Sequence, residues 1–250
     1  MRRGSKREKR GVYLLPNLLT ASSLLCGFYS LVASWQGRFL HASGAILLAA
    51  LFDGIDGKVA RMTRSSTRFG VEFDSLADLV SFGVAPAMLA FGWILHPYGR
   101  MGWLASFLYV ICGALRLARF NVQTNAEQAR HFRGLPTPAA ASLIATGFLL
   151  VHRLDIPFEG KGVLVSLVLY LLAFLMVSNF PYPSFKDFDL VKRRPFSTLV
   201  TLILLMIVVI ADPQITLFFI TLIYVSLGPL GGLKGLLRPK VSPVEEREGR

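Results

Sequence analysis

The sequence predicts an all-α, polytopic transmembrane helical bundle of about eight spans, with both termini cytoplasmic and a short basic juxtamembrane segment in front. Three observations predict it. Apolar residues make up 53% of the 250, and mean hydropathy is +0.54, yet the formal net charge is +12. Apolar runs near the roughly 20 residues that a helix needs to cross the hydrocarbon core recur along the chain. Finally, 23 of the 27 Lys and Arg fall in alternate connecting segments, as expected when basic residues stay on the cytoplasmic side. This composition argues against a soluble domain, and a single membrane domain over 1–250 is expected.

Residues 1–15 carry six Lys/Arg and one Glu. Next to a membrane span, such a run reads as a cytoplasmic segment drawn to anionic headgroups rather than as a nucleic-acid site. The apolar run that follows is long and has no A-x-A cleavage signal, so a retained first helix is expected. Pro16-Asn17 opens that span, about Asn17–Trp35. Further spans are expected at about His41–Val59, Asp74–Leu95 with a kink at Pro86, Trp103–Phe120, Thr137–Val151 and Val163–Val177. Together these form a six-helix core over 16–180. An extra helix pair over 197–228, spans Thr198–Ala211 and Gln214–Leu227, and a cytoplasmic tail over 229–250 complete the chain.

With the N-terminus inside, the predicted outer loops hold only Arg38, Arg100, Arg153 and Lys161, and Trp35, Trp93 and Trp103 fall at outer ends, as an aromatic belt requires. Cys26 and Cys112 lie in predicted spans without paired spacing and read as buried thiols. His41, His96, His131 and His152 lie at span ends or in loops without metal spacing.

The stretch Asp53–Asp78 stands apart. It puts Asp53, Asp56, Asp74 and Asp78 in or beside apolar helices, where a carboxylate costs roughly 2.5–3.5 kcal/mol and is a functional candidate by default. At about 100° per residue, Asp53, Asp56, Gly57, Ala60 and Arg61 share one helix face, and Asp74, Asp78 and Ser81 share another. Salt bridges to Lys58, Arg61, Arg64 and Arg68 could account for one or two of the acids. The regular spacing of all four fits a metal site better, and oxygen-only ligation selects hard cations. Four carboxylates suit two divalent cations bridging a phosphate-bearing substrate. Gly57, Ala60 and Gly70 leave backbone bare beside the acids, either for a ligand or for close helix packing. Arg61 is available to a phosphate.

These residues read D-x-x-D-G-x-x-A-R-x8-G-x3-D-x3-D without departure, which resembles the CDP-alcohol phosphotransferase signature. The resemblance implies that an alcohol attacks the β-phosphorus of a CDP-linked lipid and CMP leaves. It implies that Asp53, Asp56, Asp74 and Asp78 hold two divalent cations, Mg²⁺ or Mn²⁺, and that Asp78 is the general base. It also implies that Gly57, Ala60, Arg61 and Gly70 line the CDP-lipid site, and that the protein is a homodimer.

Flanking residues narrow the likeness. Ser75 and Leu79 stand where glycerophosphate-using relatives read D-P-x-A-D-K, and the run Ser75–Ala87 is similar to integral-membrane bacterial phosphatidylserine synthases. So are Pro16–Thr20 with Cys26-Gly27, Arg116–Asn121 with Phe132–Pro138, and Met176–Ser178 with Pro181–Lys186. This subfamily resemblance, over about 12–190, implies CDP-diacylglycerol and L-serine as substrates, in a prokaryotic cytoplasmic membrane with the site at the cytoplasmic face. Serine brings a carboxylate and an ammonium, so its site needs a cation and an acceptor. Arg116, Arg119, Asn121 and Arg133 are candidates, each arginine being alternatively a positive-inside anchor. Lys186 could contact lipid phosphate or snorkel. Other readings are a relative using glycerol phosphate, inositol phosphate or choline, and a divalent-cation transporter, since intramembrane acids also mark ion paths.

Overall fold

The computed structural model describes residues 14–63, 67–122, 132–157, 160–182 and 195–237. They are helical almost throughout. Helix α1 (Leu14–Trp35) packs along α2 (Phe39–Thr63). Next come α3 (Arg68–Asp78), a π-helical turn over Leu79–Val84, α4 (Ala85–Ala90), a second π-helical turn over Phe91–Leu95 and a 3₁₀ turn over His96–Tyr98. Then follow α5 (Gly99–Val122), α6 (Thr137–Arg153), α7 (Gly162–Val177), α8 (Pro195–Ala211) and α9 (Pro213–Leu237). Each expected span has its helix.

Among the described residues, four stretches are long and apolar enough to cross a membrane: Leu15–Trp35, Phe39–Val59, Arg68–Val122 and Pro213–Gly231. The 55-residue stretch holds both the third and the fourth expected spans, broken at the 3₁₀ turn, where Gly99 takes φ +52°. The surface is that of a protein solvated by lipid: Leu25, Phe28, Phe107, Leu167, Phe174 and Ile210 are all more than half exposed. The core is built from small residues. Ala42, Ala49, Ala85, Ala90, Ala105, Ala140 and Ala145 are wholly buried, which lets backbones approach closely where no hydrophobic force drives helices together. Where α1 crosses the first π-turn a Cβ on Gly27 would collide with Ser81; there Ser81 Oγ donates to the Ser23 carbonyl at 3.0 Å, and Ser23 Oγ to that of Ala49 at 3.1 Å. Helix α1 is thereby fastened to both acid-bearing elements.

Pro86 does more than kink the third span. It cannot donate to the carbonyl four residues back, that of Phe82. The fully buried Tyr109 of α5 supplies the donor instead, its hydroxyl 3.0 Å from that oxygen, and the chain around it relaxes into the π-turn that begins directly after Asp78. Replacing Tyr109 by Phe should cost about 1–3 kcal/mol by orphaning that carbonyl, read as a lower melting temperature in detergent; an unchanged value would show that another group takes over.

One departure from an all-α fold is a two-residue antiparallel ladder, β1 (Phe132–Arg133) against β2 (Pro181–Tyr182). The segment after α5 is anchored onto the end of α7 by Gly134 N–H to the Phe180 carbonyl and Leu135 N–H to that of Leu175, both 3.0 Å. Gly134 has φ +84°, and a Cβ there would sit 2.5 Å from the Met176 oxygen, so only glycine fits. Tyr182, outside the spans and 2% exposed, donates to the Val225 carbonyl at 3.1 Å, and burial pushes its phenol up to about 12, keeping it a donor.

Candidate active site

The acids converge from two helices, α2 and α3. Helix α2 brings Asp53 and Asp56 near its C-terminus. Thr67 starts α3 by accepting the Gly70 N–H at 3.0 Å, an N-cap that sets the phase of the helix carrying Asp74 and Asp78. One carboxylate oxygen each from Asp53, Asp56 and Asp74 lies within 4.8 Å of the others. Asp78, at the end of α3, makes side-chain contact with Asp53 and is within electrostatic reach of Asp74, Asp56 and Arg116.

Like charges at this spacing in a low-dielectric setting repel strongly unless a cation joins them. The donor set fits one: it is all oxygen and anionic, with neither His nor Cys, the choice of a hard divalent ion. The triad Asp53, Asp56 and Asp74 could bind a metal.

Thr20 of α1 is a site residue that sequence reasoning passed over. Its hydroxyl lies 3.0 Å from Asp56 Oδ2 and 3.1 Å from the Pro16 carbonyl, buried, so it orients a carboxylate that is itself 5% exposed. Groups that hold metal ligands in place are typically worth 10–100-fold in metal affinity or activity. Thr20→Val, close in shape without the hydroxyl, should raise the Mn²⁺ concentration for half-maximal activity by about that factor; an unchanged metal titration would show that Asp56 needs no such support.

Among the described side chains expected to bind phosphate or acceptor, Arg116 is the one beside the acids. Its Nη1 donates to Thr137 Oγ1 at 3.3 Å, Asp78 and Asp53 lie within electrostatic reach, and its Nε is buried without a hydrogen-bond partner among the described residues. Arg119 is engaged elsewhere. It donates to Asn179 Oδ1 at 2.6 Å and to the Val177 carbonyl at 3.4 Å, so it closes the C-terminus of α7, where a cation is favoured.

Asn121 donates to Ser75 Oγ at 3.0 Å and Glu72 Oε2 at 3.2 Å, tying α5 to α3. Ser75 therefore has a partner that a proline at that position would not have. Gly57 is half-buried on α2, and a Cβ on Gly70 would sit 3.4 Å from Asn17 Oδ1, so Gly70 also serves close packing of α3 on α1. The side chains of Ala60, Arg61 and Arg133, the whole of Lys186, and residues 1–13 and 238–250 lie outside what is described.

Residues 13–178 match the family model described as CDP-alcohol phosphatidyltransferase. The chain belongs to that family. Within it, a CDP-diacylglycerol–serine O-phosphatidyltransferase of Helicobacter pylori is 43% identical over 175 residues, covering 70% of this chain and 74% of its own. One of the same name from Bacillus subtilis is 34% identical over 173 residues, 69% of this chain and 91% of its own. An archaetidylserine synthase of Methanothermobacter thermautotrophicus is 37% identical over 171 residues, 68% of this chain and 69% of its own. Family membership fits the acidic cluster, the apolar helices and the prokaryotic character of these relatives.

Proposed function

We propose that this chain is a CDP-diacylglycerol:serine O-phosphatidyltransferase of a prokaryotic cytoplasmic membrane. The observation that carries the reading is the meeting of Asp53, Asp56, Asp74 and Asp78 at one end of the bundle with Arg116 beside them. Serine is the acceptor named for both the diacylglycerol-type and the archaeal relatives, so the alcohol is better supported than the lipid backbone.

In this reading the four carboxylates hold two divalent cations, Mg²⁺ or Mn²⁺, which when bound offset the pyrophosphate charge and improve CMP as a leaving group. Asp78 takes the proton from the serine hydroxyl as its oxygen bonds to the β-phosphorus. The bond from that phosphorus to the bridging oxygen breaks, and its electron pair leaves with CMP. Gly57, Ala60, Arg61 and Gly70 line the nucleotide-lipid side. Arg116 meets the serine carboxylate, with Asn121 and Arg133 nearby and Lys186 at lipid phosphate; Arg119 serves the site by holding the end of α7. The domain plan is a catalytic core over 16–180 with an extra helix pair and flanking cytoplasmic segments. It places eight spans with both termini inside and the site at the cytoplasmic face, where a water-soluble amino acid and a lipid-linked nucleotide can both arrive. Each half of a homodimer would carry one site.

The test is an acceptor screen on purified protein with Mn²⁺ or Mg²⁺ and CDP-diacylglycerol. CMP release should require L-serine. Equal turnover with glycerol 3-phosphate or inositol phosphate would overturn the acceptor, and preference for an ether-linked CDP-lipid would reassign the backbone.

A further inference from the structure

The family match ends at residue 178, yet the last helix reaches the site. Tyr224 of α9 lies within electrostatic reach of Arg116, and three contacts put it there. Thr221 Oγ1 lies 3.1 Å from Thr146 Oγ1, joining α9 to α6 through two hydroxyls. Tyr182, on the ladder, donates to the Val225 carbonyl, and its ring fills the space beside Gly228, where a Cβ would overlap it. The rings of Tyr182 and Tyr224 then pack with centroids 5.9 Å apart at 37°. This stretch of α9 is thus fixed at three successive points, and the phenol one residue before Val225 is held within electrostatic reach of the guanidinium.

Arg116 needs holding. A guanidinium recognises a carboxylate through a planar fork of N–H donors, and the match is lost when the plane turns. Thr137 fixes one corner through Nη1, and the acids draw the group from one side. Its buried Nε has no hydrogen-bond partner among the described residues, which leaves that donor for a ligand. A second neighbour is required to stop the plane rotating about its stem, and Tyr224 is the polar group that α9 supplies.

We propose that Tyr224 is a positioning residue for Arg116, so that α9, beyond the family match, completes the acceptor end of the pocket and tunes it for an alcohol bearing a carboxylate. The inference rests on the reading of Arg116 as the cation that meets the acceptor's anionic group.

Steady-state kinetics on the full-length protein in detergent with CDP-diacylglycerol, varying L-serine, test it. Tyr224→Phe keeps the ring and removes the hydroxyl; it should raise the KM for serine roughly tenfold, leaving the KM for CDP-diacylglycerol and the melting temperature near the parent's. Thr216→Val, which removes a hydroxyl-to-carbonyl bond to Val208 at the start of the same helix and none of the three contacts above, should leave the serine KM unchanged. Arg116→Lys should raise the serine KM at least as far, and adding Tyr224→Phe to it should raise it little more, because the two act through one contact. An unchanged serine KM in Tyr224→Phe, with Arg116→Lys impaired, overturns the role of Tyr224 and leaves Arg116 in place. An unchanged serine KM in Arg116→Lys overturns the reading of Arg116 and the inference together. Equal KM rises in Tyr224→Phe and Thr216→Val, each with a lowered melting temperature, would make α9 a structural brace only and also overturn it.

Discussion

Replacing Asp78 by asparagine is expected to lower kcat for CMP release by about two to four orders of magnitude, the usual worth of a positioned general base. CDP-diacylglycerol binding should be largely retained. The expectation follows from where Asp78 stands. Asp53, Asp56 and Asp74 present oxygens within 4.8 Å of one another and form a metal-binding group without it. Asp78 sits against Asp53 at the edge of that group and within electrostatic reach of Arg116, the proposed partner of the acceptor's carboxylate. A carboxylate between the cation site and the acceptor can take a hydroxyl proton and also bridge to a metal; asparagine has the shape and a carbonyl ligand but no basicity. Single-turnover assays with bound CDP-lipid separate the two contributions. Full activity in the variant would remove Asp78 as the base. Loss of CDP-lipid binding in step with activity would make it chiefly a metal ligand.

The acidic motif was legible in the sequence because helical periodicity alone puts i, i+3 and i, i+4 carboxylates on one face, and apolar flanks make their cost visible. The helices were legible for a related reason: apolar runs and the placement of Lys and Arg mark each one. What escaped was whatever depends on contacts between distant segments. Thr20 lies 36 residues from Asp56, and a threonine near a helix start carries no mark of its partner. Arg119 and Arg116, a turn apart, look alike as basic residues at a span end; only packing shows that one closes α7 while the other turns to the acids. Pro86 announced an interruption, but its form, a π-turn completed by Tyr109, depends on a hydroxyl 27 residues away from the carbonyl it serves. The last helix offered a mostly apolar run with a few hydroxyls and one tyrosine whose neighbours come from α5 and the ladder. The ladder itself is too short to leave any alternation in the sequence.

Changing Asp74 to asparagine should move stability and activity in opposite directions, and this separates a metal site from an ordinary polar cluster. With chelator present, the acids meet as like charges in surroundings of low dielectric, so removing one charge relieves repulsion. The chelated Asp74→Asn protein should therefore melt higher than the chelated parent. Added Mn²⁺ should reverse the order. A ligand that binds only the folded state stabilises by RT ln(1 + [L]/Kd), about 2.7 kcal/mol at one hundred times Kd. The parent should gain on that scale, while the variant, with two carboxylates left in the triad, should gain far less and turn over at a small fraction of the parent rate. If the acids were instead a set of structural ion pairs, Asp74→Asn would lose a partner and melt lower with or without metal, and Mn²⁺ would shift neither protein. The sign of the change under chelation thus decides between the two. It does so without an activity assay, because repulsion among Asp53, Asp56 and Asp74 is a property of the folded chain whichever alcohol it uses.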